Sequence, residues 1–171
     1  MEWPFDCWKA LVNSAEYRMN FQIGVVQMAA QKNEATVRTW LEEAWNKGNI
    51  DEQAHIFSPA YAWAELPPPF GTGSEGLLKF VRAFRAAFPD LHWTIEDVIT
   101  NDDKVVWRVV ATGTQQAEFM GIPATGKSVK VGAIIISRFE NDLWREDWVS
   151  WDQLGMLQQL GVIPVPGAGV A

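Results

Sequence analysis

The stretch Phe84-Arg85-Ala86-Ala87-Phe88-Pro89-Asp90-Leu91-His92-Trp93-Thr94-Ile95-Glu96 contains a change of period that decides the fold. Before it, Leu77, Phe80, Val81, Phe84 and Phe88 recur at helical spacing and form one apolar stripe, with Lys79, Arg82 and Arg85 turned to water. Ser74 stands at the expected start of this helix. Pro89 lacks an amide hydrogen and restricts the residue before it, so Pro89-Asp90 ends the helix. From Leu91 the period drops to two: Leu91, Trp93 and Ile95 alternate with His92, Thr94 and Glu96.

Outward toward the N-terminus the chain reads as helix and loop. Asn33 is a good N-cap, and Val37, Trp40, Leu41, Ala44 and Trp45 fall on one helical face that Gly48 terminates. Asp51 caps a shorter helix through about Phe57. Between Ser58 and Gly73, three consecutive prolines (67–69) force an extended loop. Residues 1–32 lack punctuation, and Phe21–Ala30 reads either as a helix packed on the domain or as a loosely ordered extension.

Toward the C-terminus the chain reads as strands. Asn101-Asp102-Asp103 turns into Val105–Thr114, a glycine-containing loop leads to Val129–Phe139, and Glu140-Asn141-Asp142 turns into Leu143–Trp151. Asp152 caps a last helix, Gln153–Leu160, ended by Gly161, and a Pro/Gly-rich tail covers 163–171. Helices followed by an antiparallel meander define an α+β order, in which a curved sheet wraps three N-terminal helices into a cone around a ligand pocket. The expected division is an extension over 1–32, one domain over 33–162 and a flexible tail.

Composition narrows the function. A net charge of −7 with no Lys/Arg-rich stretch opposes nucleic-acid binding and an anionic membrane surface. No apolar run reaches the length of a membrane span, the start is a poor signal peptide, and the single Cys7 fits a reducing compartment, so the cytoplasm is the expected location. Ten tryptophans suggest a core that also walls a cavity, because each buried indole N–H needs a partner.

Several motifs in order resemble the SnoaL-like polyketide cyclases, a family of the nuclear transport factor 2-like superfamily. They are Phe84–Leu91 followed by Thr94-Ile95-Glu96-Asp97, the loop Gly113-Thr114 … Glu118–Pro123 … Thr125-Gly126-Lys127, and Glu146-x-Trp148 with Asp152 and Leu154–Gly161. The resemblance spans roughly 34–162. It implies ring closure by an intramolecular aldol reaction without metal or organic cofactor, assisted by an acid/base side chain in an apolar cavity. Relatives elsewhere in the superfamily hydrolyse epoxides, isomerise steroids or hydroxylate aromatic polyketides. Family members often carry a histidine where this chain has Gln115, and another near Tyr61-Ala62-Trp63-Ala64-Glu65. The two histidines here, His55 and His92, match neither place and have no companion ligand, so no metal site is expected.

Asp147 is the leading acid/base candidate, since the resemblance puts the acid on this last strand and alternation turns Glu146 and Asp147 to opposite faces. Glu65, in the loop expected over the mouth, is the second. Trp63, Trp93, Trp107, Trp148 and Trp151 are candidate walls for a polycyclic ligand, and Gln115, sharing parity with Trp107, is a candidate donor to a ligand carbonyl. Gly121-Ile122-Pro123-Ala124-Thr125-Gly126-Lys127-Ser128 matches a phosphate-loop pattern, but Val129-Lys130-Val131 continues as strand rather than helix, so nucleotide binding is not expected.

The reading that results is a cyclase or isomerase acting on a hydrophobic, carbonyl-bearing small molecule. Its alternatives are an epoxide hydrolase or hydroxylase, which calls for an inward Arg108 or Arg138, and a pocketed protein that only binds. The apolar segment Ala133–Ile136 predicts a homodimer.

Overall fold

The change of period at Pro89 is the seam between the helical and sheet halves of the chain. A computed structural model describes residues 15–164. Cys7, with the rest of 1–14, and the tail from 165 lie outside the described residues. Helix α1 (Ala15–Trp40) runs directly into a wider, π-helical stretch, Leu41–Lys47, which ends at Gly48 with φ +88°. A short 3₁₀ segment (Asp51–Ile56) follows. Next come strand β1 (Phe57–Trp63), a second 3₁₀ turn (Pro68–Phe70) and helix α2 (Gly73–Ala87). Strands β2 (His92–Asn101), β3 (Lys104–Thr114), β4 (Ser128–Glu140) and β5 (Leu143–Trp151) precede helix α3 (Gln153–Leu160).

The architecture is α+β, a curved five-stranded sheet in the order β1-β5-β4-β3-β2 with the helices on its concave side. The meander β2 to β5 is antiparallel as its turns predict. Turn geometry explains both tight hairpins, because Asp102, Asn141 and Asp142 take left-handed backbone angles that Asn and Asp tolerate best. Asp152 caps α3 by accepting the Gly155 amide at 2.7 Å, and Gly161 closes it. The stripe Leu77, Phe80, Val81, Phe84 and Phe88 is buried, as its spacing dictates.

Four local expectations are corrected. Asn33 is not a cap but lies inside α1, buried, where its side chain donates to the Asp102 carbonyl and ties the helix to the β2–β3 turn. Residues 57–63 form a strand rather than part of a loop, pairing parallel to β5 at the sheet edge, where Pro59 is tolerated. Thr72, not Ser74, precedes the first turn of α2. Arg85 is half-buried rather than turned wholly to water. Its guanidinium donates to the carbonyls of Trp45 and Asn46 (2.8 Å for the latter), capping the π-helical stretch.

Candidate active site

Strand β4 presents Val131, Ala133, Ile135, Ser137 and Phe139 inward, so Ser137 is a hydroxyl in an otherwise apolar series. On β5 the alternation is interrupted. Arg138 pairs with Glu146 but Phe139 pairs with Trp144, leaving Arg145 as an extra, bulged residue. Trp144 and Asp147, three residues apart, therefore both turn inward, and Asp147 sits directly opposite Ser137.

These side chains converge on one carboxylate. Asp147 Oδ1 accepts from Ser137 Oγ at 2.6 Å and from Trp144 Nε1 at 2.8 Å. Its Oδ2 accepts from Tyr61 OH, supplied by β1, at 2.5 Å. Ser137 in turn accepts from Trp107 Nε1 at 3.0 Å. With two donors on Oδ1 and one on Oδ2, the remaining in-plane lone pair is on Oδ2.

Burial pushes the Asp147 carboxyl up to about 6, because the charged form loses its water; the bonds from Ser137, Tyr61 and Trp144 pull the other way, and the Glu146 charge adds slightly to the rise. Tyr61 is pushed well above the ordinary phenol range, first by burial and then by the Asp147 charge, so it remains a protonated donor.

Asp147 lies in the wall of a cavity of about 70 Å³, several times the roughly 10–15 Å³ that a water needs. Trp40, at the end of α1, and Leu41 and Trp45, from the π-helical stretch, line it together. Phe80 and Phe84 come from α2, and Trp93 from the far edge strand. Among the described residues of this wall, Asp147 is the ionisable side chain; the others are apolar or aromatic.

Of the residues expected at the site, Asp147, Trp63, Trp93, Trp107 and Trp151 come together around the cavity. Three do not. Glu65 lies in an exposed turn after β1, away from the cavity wall. Trp148 is on the outer sheet face, 38% exposed, because it follows an inward Asp147. Gln115 is fully buried, but its amide is spent on the loop that follows it: Nε2 donates to Ile122 O, and Oε1 accepts from the Thr125 amide and hydroxyl. Tyr61, Ser137 and Trp144 were not anticipated. Ser137 had a readable signal, a lone polar residue in an apolar inward series, whereas Tyr61 was hidden by reading its strand as loop.

Arg108 pairs with Glu96 and Arg138 with Glu146, on the outer face in both cases, so neither supplies the inward arginine that an Asp–Arg–Asp group requires. The loop 121–128 leads into β4 rather than a helix, as its alternation predicted. Among the described residues, no three His, Cys, Asp or Glu side chains are grouped to hold a metal ion, and no helix is long and apolar enough to cross a membrane.

A curved sheet closed over helices around an apolar pocket is the architecture of the nuclear transport factor 2-like class. Within that class, the model of the SnoaL-like polyketide cyclase family matches residues 35–160, and the chain belongs to this family. TsrD from Streptomyces laurentii is 30% identical, covering 78% of this chain and 97% of its own, with a TM-score of 0.71. AclR from Streptomyces galilaeus, a proposed hydroxylase, is 26% identical over 80% and 99%, with a TM-score of 0.68. IdmH from Streptomyces antibioticus, a proposed polyketide cyclase, is 31% identical over 75% and 97%, with a TM-score of 0.64. No curated protein sequence matches the chain. Family and neighbours together support a cyclase-type function toward a small molecule.

Proposed function

We propose that the chain is a cofactor-independent cyclase or isomerase that uses Asp147 to move a proton on a carbonyl-bearing, largely apolar substrate. The observation that carries this reading is a buried carboxylate in the wall of an apolar cavity, its carboxyl pushed up to about 6 by burial. Above that pH, Oδ2 takes a proton from the carbon next to a substrate carbonyl, leaving an enolate. The enolate carbon bonds to a second carbonyl carbon of the same molecule, and the resulting alkoxide takes the proton back from Asp147. No atom is gained or lost. Tyr61, Ser137 and Trp144 are positioning residues that hold the carboxylate in one orientation, and the apolar walls keep water from quenching the enolate.

The test is exchange of the α-proton of a ketone substrate into heavy water, followed by NMR. Asp147→Asn keeps the shape and removes the titrating proton, and should slow exchange by about 10²- to 10⁴-fold. Unchanged exchange in a folded Asn variant would leave the cavity as a binding site without chemistry.

A homodimer is part of the same proposal. Val106, Val110, Ile134, Ile136 and Trp148 share the outer sheet face, with Ile134 50% exposed, and apolar faces of this kind are characteristic of interfaces. Light scattering at micromolar concentration should give twice the chain mass, and Ile134→Glu should halve it.

A further inference from the structure

Asp147 is a buried carboxylate without a counter-ion. Its three partners, Tyr61, Ser137 and Trp144, are neutral donors. The cations nearest to it along the sheet are engaged elsewhere. Arg138 pairs with Glu146 on the outer face, and Arg145 donates to the Ala60 carbonyl and pairs with Glu140. Glu146, next in the chain, adds negative charge rather than relieving it. Among the described residues of the cavity wall there is no Lys, Arg or His. An ionised Asp147 therefore gives the wall one negative charge that no side chain in it balances. A buried charge of this kind is costly until something of opposite sign lies beside it.

The rest of the wall suits a cation. Nine of the fifteen lining residues are aromatic and seven of those are tryptophan, the side chain whose ring attracts cations best. The cavity, about 70 Å³, holds about five water-sized groups. Trp63, Trp93, Val149 and Trp151 are only half-buried, which marks the side on which it meets solvent. Asp147 keeps 6% of its surface while Ser137 behind it keeps none, so of that pair Asp147 is the one left for a ligand to touch.

The supply of acceptors narrows the cation further. One in-plane lone pair remains on Asp147 after its three bonds, and the other lining side chains are hydrocarbon or indole, which carry no oxygen or nitrogen acceptor. The wall can thus satisfy one N–H group, not three.

We propose that the cavity binds small organic ammonium ions, tertiary ones best, with the single N–H donating to Asp147 Oδ2 and the alkyl groups against the aromatic wall. A primary ammonium brings three N–H groups, two of which lose water and gain no acceptor. A quaternary one keeps the charge attraction but has no N–H to donate. This inference goes beyond the acid/base reading and does not require it, since Asp147 acts here as a counter-ion and no bond is made or broken. Burial alone disfavours the charged carboxyl, whereas a cation beside it favours that form.

The experiment is calorimetry near pH 7.5 with three probes of equal heavy-atom count. N-methylpyrrolidine and cyclopentylamine are both protonated there, because alkylamines titrate near 10, and cyclopentanone is neutral. N-methylpyrrolidinium should bind at least about tenfold more tightly than either of the others. Asp147→Asn should erase its advantage over cyclopentanone while changing cyclopentanone itself by less than about threefold, which shows that the cavity is intact. In the unaltered protein, lowering the pH to about 5 should weaken N-methylpyrrolidinium by about tenfold, because Asp147 is then mostly protonated, and leave cyclopentanone unchanged. Equal affinity for N-methylpyrrolidinium and cyclopentanone overturns the proposal, as does equal affinity for the tertiary and primary ammonium ions. So does an advantage that survives in a folded Asn variant, or no binding of N-methylpyrrolidinium at millimolar concentration. Asp147-dependent exchange of ketone α-protons without ammonium binding would sink this inference and leave the acid/base reading standing, so the two fail separately.

Discussion

Ser137 and Arg138 are neighbours on β4, as Asp147 and Glu146 are on β5, and the cross-strand pairs Ser137–Asp147 and Arg138–Glu146 are successive rungs of one ladder. Their chemistry is opposite. The outer rung couples a carboxylate to a guanidinium at 3.0 Å, both about a quarter to a third exposed, which is an ordinary ion pair. The inner rung couples a carboxylate to neutral donors with water excluded, and its proton is released near pH 6. One residue of displacement along a strand thus separates a group that answers to solvent from one that answers to a ligand. The lesson is that carboxylate reactivity here is set by face, not by sequence neighbourhood.

The sharpest way to break the comparison is to neutralise each carboxylate in turn. Asp147→Asn should remove about 10²- to 10⁴-fold of turnover, whereas Glu146→Gln should leave it within about twofold. Next in size is the pH dependence of stability. Because the folded Asp147 binds its proton more tightly than the unfolded one, its contribution declines as pH rises from about 4 to about 6, by about 3 kcal/mol. Denaturant titrations should therefore show Asp147→Asn gaining on the unaltered protein across that interval, with a flat difference on either side. A constant difference from pH 4 to 7 would refute the buried titration.

Ser137→Ala probes the inner rung more gently. It removes one donor from Asp147 and strands the Trp107 N–H, so unfolding should cost about 1–3 kcal/mol less. With one pulling bond gone, the acid limb of the pH–rate profile should move to higher pH, a shift that a purely structural serine would not produce. The smallest effect belongs to the outer rung: Glu146→Gln should change stability by about 0–1 kcal/mol, in a salt-dependent manner.

Much of the fold was legible because its signals are local. The alternation from Leu91, the two Asp/Asn turns and the Asp152 cap each need only a few adjacent residues to be recognised. Strand β1 was not, because its partner, β5, lies more than eighty residues away and its pairing is parallel at an edge. The alternation of Phe57, Tyr61 and Trp63 was present, but Pro59 and the following prolines outweighed it. Parity said that only one of Glu146 and Asp147 faces inward, and the family resemblance pointed to Asp147. The bulge at Arg145 was not, so the contribution of Trp144 was missed, and Trp148 was assigned to a wall that faces the other way. Gln115 shows a different limit: parity placed it inside, but only the loop geometry shows that its amide is already committed to Ile122 and Thr125.

Asn46 has a consequence for life in a crowded solution. β2 is an edge strand, and an open edge invites pairing with any extended chain that passes. By taking both the amide and the carbonyl of Trp93, the Asn46 side chain occupies the two backbone groups that a foreign strand would need there. A single side-chain amide at the end of a helix thus serves as a one-residue imitation strand. A residue of the cavity wall is in this way also a block, at its own position, to the edge-to-edge pairing that leads to fibres.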